Sequence, residues 1–210
     1  MVSFGTFIIG VAVAIITFFV LDNFTSPLFL NIFICYVLVF VTMLITTWYR
    51  IHATRNIEKL EKLFSKNKKH PYYSFVHALS VKEDKRVIVS YRKLMKRKKY
   101  QAHYPIFTIL FSLYFGKTLG LREEAEKIKH SEMKSYYLAL INIEEQQFPD
   151  AQQWITRVNK KWMKEALLAE IAIKKEEKDV AKKHAKSALK HTKGIQYYVL
   201  KKTYEREFNL

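Results

Sequence analysis

The first 49 residues contain two long runs without a charged side chain, and no other feature restricts the fold of this chain so strongly. The runs cover residues 4–21 and 28–49, and Asp22 is the only charged residue in the segment. About 20 apolar residues in a helix match the ~30 Å hydrocarbon core of a bilayer. The connector, Asn-Phe-Thr-Ser-Pro at residues 23–27, has the composition of a turn. Residues 1–49 therefore predict a two-span transmembrane hairpin.

Two other interpretations of this segment fit less well. A cleaved signal peptide would need a positively charged start and a small-residue cleavage site, and the first run has neither. A pair of buried helices in a soluble domain is disfavoured because the second run extends for 22 residues without a charge.

The placement of cations predicts the orientation of the hairpin. Neither the N-terminus nor the connector contains Lys or Arg, whereas Arg50, Arg55 and Lys59 follow the second span. By the positive-inside rule, both termini lie in the cytoplasm. A composition rich in Lys, Ile and Phe with few Arg favours a bacterial cell membrane, although an organelle membrane meets the same physical requirements.

Small and polar residues recur at helical spacing in both spans. Gly10 and Ala14 lie in the first span, and Asn31 and Cys35 lie in the second. Such faces allow close packing of membrane helices, either within the hairpin or against another membrane protein. Neither span contains an Asp, Glu, Lys, Arg or His to carry a proton or an ion, so transport is disfavoured.

The remaining residues are strongly basic. The whole chain carries +17, and residues 50–210 carry +18 because Asp22 is excluded. The nearest anionic partner for such a domain is the lipid leaflet, and nucleic acid is the second candidate. Lys outnumbers Arg 28 to 8, which favours diffuse attraction over base reading. The densest cluster, our candidate for lipid or anion contact, consists of Arg92, Lys93, Lys96, Arg97, Lys98 and Lys99.

After the hairpin, helical patterns dominate and repeat. Residues 50–69 predict a basic juxtamembrane helix that continues the second span and ends in a linker before Pro71. In residues 70–210, aromatic residues open successive apolar segments at spacings of 32, 32, 26 and 35 residues, typical of stacked helical hairpins. We expect nine helices after the membrane. The candidate partner groove consists of Tyr104, Tyr136, Tyr137, Trp162 and Tyr197.

Local signals predict several helix boundaries. Residues 80–83, Ser-Val-Lys-Glu, form a capping-box pattern, so a helix should begin there. Pro105 and Pro149 suit the first turns of helices, and Gly194 suits the end of one.

The clearest repeat relates residues 137–155 to residues 167–185 at an offset of thirty. Ala139 and Ala151 of the first unit correspond to Ala169 and Ala181 of the second, twelve residues apart in each. Small residues at these positions let two helices pack closely. The chain here resembles the tetratricopeptide-repeat family, chiefly over residues 132–191. The resemblance implies an all-α fold, a cytoplasmic α-solenoid of helical hairpins, with a concave groove that holds partner proteins.

We find no pattern that predicts catalysis. Gly116, Lys117 and Thr118 imitate the end of a phosphate-binding loop, but the required earlier glycine is Phe111. Cys35 is the only cysteine, and the histidines lack metal-ligand spacing. We therefore expect no enzyme activity, no cofactor and no metal site. The expected function is that of a membrane-anchored adaptor that recruits partner proteins, and the alternative is a membrane-tethered nucleic-acid-binding protein.

Overall fold

The computed structural model describes residues 11, 12, 15 and 28–208. The chain divides into two compact units, Met1–Thr54 and Arg55–Leu210. Throughout the described ranges there are helices and turns but no strand, which confirms the all-α prediction. Most of the first predicted span, including Gly10 and Ala14, lies outside the described residues.

The first unit contains helix α1, Leu28–His52, which includes the whole of the second uncharged run. Large apolar side chains are exposed along this helix, among them Phe33, Phe40 and Leu44. Cys35 is half-buried, and the side chain of Asn31 lies outside the described part. None of the helices in the described ranges is both long and apolar enough to cross a membrane.

Helix α1 does not continue into the second unit, so the prediction that the juxtamembrane helix of residues 50–69 continues the second span was wrong. Helix α1 ends at His52, and helix α2 begins at Ile57. The side chain of Asn56 accepts a hydrogen bond from the backbone N–H of Lys59 at 2.9 Å. Asn56 is therefore an N-cap, a signal that favours a new helix start over continuation.

Helix α2 ends at Lys66, and a 3₁₀ helix covers Lys98–His103. The remaining α-helices are α3 Pro71–Val81, α4 Asp84–Met95, α5 Tyr104–Tyr114, α6 Leu121–Glu126, α7 Ser131–Glu144, α8 Phe148–Thr156, α9 Lys161–Lys174, α10 Lys178–Lys190 and α11 Gly194–Phe208. Within residues 55–208 there are thus ten α-helices where the sequence predicted nine. Helices α3 and α4, α5 and α6, α7 and α8, and α9 and α10 pack as consecutive pairs.

The thirty-residue repeat is visible in the backbone as well as in the side chains. Gln146 and Glu176 both have left-handed conformations, with φ of 58° and 61°. Each lies in the short connection of a helix pair, after α7 and after α9 respectively. The paired alanines are fully buried in both units, so the helices approach closely at the positions that the sequence indicated.

Contacts between successive repeats involve one carboxylate that caps a helix. The Glu132 side chain on α7 accepts hydrogen bonds from the backbone N–H groups of Asn159 and Lys160, at 2.9 and 2.8 Å. These groups lie at the start of α9, where backbone donors have no partner within the helix. Lys174 and Glu144, thirty residues apart, add an ion pair at 2.7 Å.

The helix boundaries predicted at Pro105 and Pro149 were right, whereas those predicted from residues 80–83 and from Gly194 were wrong. Pro105 and Pro149 lie in the first turns of α5 and α8. Ser80 does not begin a helix: it lies near the end of α3, and its hydroxyl donates to the carbonyl oxygen of Val76 at 2.8 Å. Gly194 begins α11 and does not end α10.

The last helix packs against the first two helices of the same unit. The ring of Tyr198 on α11 lies 4.7 Å from that of Phe64 on α2. Lys202 forms an ion pair with Glu61 at 2.9 Å, and Arg206 donates to the carbonyl oxygen of Ser80. In an open array of repeats, each repeat contacts only its neighbours. The contact between the first and last helices of this unit is therefore not expected from such an array.

Candidate functional site

A cavity of about 510 Å³ lies among six helices of the second unit. Its lining comes mainly from α3, α5, α7 and α9, which are the first helices of the four packed pairs, and from α11. Cavities of roughly 300–1,000 Å³ are the size in which proteins hold small ligands or side chains of a partner. We regard this cavity as the candidate site.

Part of the cavity wall is apolar and remains accessible. Leu79, Leu110, Leu113, Leu140 and Val199 line it, and all five are only half-buried. Apolar side chains that converge on a concave surface are typical of a site that another molecule covers.

The rest of the wall carries more negative than positive charge, although the domain around it is strongly basic. Four carboxylates line the cavity against two cations; the charged residues are Lys82, Asp84, Glu144, Glu170, Arg206 and Glu207. Asp84 accepts a hydrogen bond from the Tyr114 hydroxyl at 2.5 Å, and Glu144 pairs with Lys174.

Glu170 is the carboxylate whose environment is most unusual. Among the described residues it has no hydrogen-bond donor and no cationic partner. Burial, followed by the negative charges of Glu144 and Glu207, raises the pKa of Glu170 to about 7, and Lys174 opposes this. A carboxylate that is desolvated without a partner is costly to ionise, so Glu170 is the group here that would gain most from a cation.

Two tyrosines, the half-buried Tyr136 and the buried Tyr204, lie near Glu170. Burial first, and then the charge of Glu170, raises the pKa values of Tyr136 and Tyr204 above the ordinary value. The hydroxyl group of Tyr204 is buried and has no hydrogen-bond partner among the described residues. A buried polar group without a partner is uncommon in folded proteins, so the interior beside Glu170 has unused hydrogen-bonding capacity.

The aromatic residues proposed for the partner groove do not converge on this cavity. Tyr137 is buried in the core beside Ile141, and Tyr136 packs against Trp162 with ring centroids 6.1 Å apart. Tyr104 packs in the cluster around Phe75, and Tyr197 is half-buried. None of these five residues lines the cavity.

The basic cluster lies on the surface of the second unit. Its six residues, Arg92, Lys93, Lys96, Arg97, Lys98 and Lys99, are all exposed. They extend from the last turn of α4 into the 3₁₀ helix. None of them forms an ion pair with another described residue. The Lys99 ammonium group lies 4.9 Å from the ring centroid of Tyr100.

Sequence reasoning missed Glu170, although the repeat contains a signal for it. At the offset of thirty, Glu170 corresponds to Leu140 of the preceding unit, and both residues line the cavity. Leu110 on α5 lines it as well. A carboxylate where the preceding unit has leucine is therefore an unusual difference between the two aligned units.

The fold and the site together define an all-α protein with repeated helix pairs around a cavity. No protein-family model, curated protein or solved structure matches the chain. Among the described residues, no group of three or more His, Cys, Asp or Glu side chains is arranged to hold a metal ion. The case for a function therefore depends on the cavity and on the surface charges.

Proposed function

We propose that the protein is a membrane-anchored adaptor that recruits a partner protein to the cavity of its helical unit. The observation that carries the proposal is the half-buried apolar surface that three of the four helix pairs and α11 contribute to one cavity. Apolar surface of this kind favours association with another molecule because burial removes it from water at ~25 cal/mol per Å².

The fold type that we propose for residues 70–210 is a tetratricopeptide-like α-solenoid. Its support is the thirty-residue recurrence of helix bounds, of left-handed connections and of buried alanines. The packing of α11 on α2 and α3 would then be a modification in which the two ends of the array meet.

Membrane anchorage is proposed from residues 1–49, with both termini in the cytoplasm of a cell membrane. The support is the pair of uncharged runs in the sequence, together with the exposed apolar side chains of α1. We expect the protein to stay with membranes in alkaline carbonate, which releases peripheral proteins. Recovery in the soluble fraction would contradict the anchor.

The basic cluster at residues 92–99 is proposed to contact anionic lipid. Each cation near an anionic surface contributes ~1 kcal/mol, within a Debye length of ~8 Å. Replacement of Arg97, Lys98 and Lys99 by Gln should weaken attraction to vesicles that contain phosphatidylserine and leave neutral vesicles unaffected. Replacement of Lys183, Lys186 and Lys190 on α10 by Gln is the control for position. If both triple variants lose the same affinity for the vesicles, the attraction depends only on the net charge of the domain.

A second candidate function, nucleic-acid binding, is favoured by α10. Lys183, Lys186 and Lys190 are exposed there, and none of them forms an ion pair within the described part. Nucleic-acid affinity falls steeply with salt because counterions are released on binding, with a slope near −0.9 per neutralised phosphate. Contacts in an apolar cavity depend far less on salt, so a salt titration separates the two functions.

Site-specific photo-crosslinking in intact cells tests the adaptor function directly. A photoreactive phenylalanine analogue at Leu113, on the cavity wall, should yield a protein adduct that survives nuclease treatment. The matched control is the same analogue at Gln153, which is exposed on α8 and outside the cavity. Equal adducts at both positions, or no adduct at Leu113, would contradict recruitment through the cavity.

A further inference from the structure

We infer that the cavity recognises a Lys or Arg side chain of the partner protein, flanked by apolar residues of the same segment. This inference rests on the proposed function and specifies the chemistry of the partner. It starts from the mismatch between the cavity and the rest of the domain: residues 50–210 carry +18, but the cavity wall has four carboxylates and two cations.

The carboxylates of the wall are not equally available to a ligand. Asp84 and Glu144 already have partners, Tyr114 and Lys174. Glu170 and Glu207 have none among the described residues. Two unpaired acids on adjoining α9 and α11 therefore provide the acceptors for an incoming ammonium or guanidinium group.

The apolar wall sets the second requirement for the ligand. The half-buried side chains of Leu110, Leu113, Leu140 and Val199 share the cavity with the two acids. Lys and Arg side chains have apolar stems that pack on such surfaces while the charged head reaches a polar group. Apolar neighbours in the partner segment would cover the remaining leucine surface.

The repeat supports a role in recognition for Glu170 in particular. Its equivalent in the preceding unit, Leu140, lines the same cavity, so an apolar side chain at this position is compatible with the helix packing. A carboxylate without a partner adds cost to the fold. Its presence at this position has a simple explanation if a cation occupies the cavity in the complex.

Binding of defined peptides to the full-length protein in neutral phosphatidylcholine nanodiscs tests the inference. The probes are dye-labelled peptides of sequence Gly-Ala-Leu-Lys-Leu-Ala and two variants in which Gln or Glu replaces Lys. Fluorescence polarisation at pH 8, with empty nanodiscs as the blank, gives the affinities. The Lys peptide should bind at least about tenfold more tightly than the Gln peptide, a difference of ~1.4 kcal/mol, and the Glu peptide should bind most weakly.

Three matched variants locate the effect. Glu170→Gln should reduce affinity for the Lys peptide about tenfold and leave affinity for the Gln peptide nearly unchanged. Glu207→Gln, at an exposed position that tolerates substitution, should reduce it severalfold. Glu123→Gln removes the same charge from α6, outside the cavity, and should change nothing. Equal affinities for the Lys and Gln peptides, or an equal loss with Glu123→Gln, would overturn the inference.

Failure of this inference can be distinguished from failure of the proposed adaptor function. If the Leu113 adduct forms in cells and is unchanged in a Glu170→Gln, Glu207→Gln double variant, the partner needs no cation, and the inference fails while the adaptor function stands. Competition with n-butylammonium tests the alternative of a small amine. If n-butylammonium displaces the Lys peptide when both are present at the same concentration, the apolar neighbours of the lysine contribute nothing to binding. That result would overturn the inference that the ligand is a segment of a partner protein.

Discussion

Replacement of Glu170 by Gln should stabilise the protein at neutral and alkaline pH. Burial and the neighbouring acids raise the pKa of Glu170 from 4.5 to about 7 in the folded state. The folded state therefore binds the proton more tightly than the unfolded chain does. The stability associated with the protonated form is complete below about pH 4.5 and is lost as the pH rises through about 7.

The size of the effect follows from the two pKa values. Each tenfold change in an acid dissociation constant corresponds to ~1.4 kcal/mol, so ionisation of Glu170 costs the folded state about 3 kcal/mol at pH 8. Glutamine has nearly the same shape and carries no charge, and it should recover most of this. The gain of Glu170→Gln over the wild type should shrink progressively between pH 8 and pH 5.

Urea unfolding of the full-length protein in neutral nanodiscs measures this difference. Trp154 and Trp162 lie in the repeats and report their unfolding by fluorescence. Glu123→Gln is the control, since an exposed carboxylate outside the cavity should contribute within ~0.5 kcal/mol. Equal unfolding free energies for the wild type and Glu170→Gln at pH 8, with parallel pH dependence, would refute the reasoning about desolvation.

Three further changes test the fold. Arg55→Ala removes the hydrogen bonds that the Arg55 side chain donates to the carbonyl oxygens of Lys190 and Thr192. It should lower the free energy of unfolding by ~1–2 kcal/mol. An unchanged midpoint of urea unfolding would mean that water replaces these bonds without loss of stability. Ala169→Leu should cost ~1–3 kcal/mol because a larger side chain overpacks a fully buried position; a thermal melt equal to wild type would indicate space that the structure lacks. Glu132→Ala leaves two backbone N–H groups at the start of α9 without an acceptor. Amide hydrogen exchange at these groups should therefore accelerate. Unchanged protection from exchange would show that Glu132 does not cap α9.

Local and repeated features were predictable from sequence. Proline opens α5 and α8 because its fixed φ and missing N–H suit the first turn of a helix. The thirty-residue offset was visible because both units need small residues where their helices cross. The break after His52 was missed, since Asn56 was read as part of a continuing pattern and not as a cap.

Features that depend on residues far apart in sequence were not predictable. Nothing local indicates that Tyr198 will contact Phe64, or that Ser80 will supply an acceptor to Arg206. The cavity depends on the same distant contacts, because α11 forms part of its wall. Glu170 stands between the apolar residues 166–169 and 171–173, and only the positions of the neighbouring helices show that its carboxylate lines a cavity.

The contact between α11 and the start of the domain has a consequence for synthesis of the protein. Phe64 emerges from the ribosome 134 residues before Tyr198. At 5–20 residues per second, the surfaces of α2 and α3 that α11 later covers remain exposed for roughly 7–27 seconds. During that interval the nascent domain exposes apolar surface, so its maturation should depend on chaperones more than that of an array whose repeats complete one another in order.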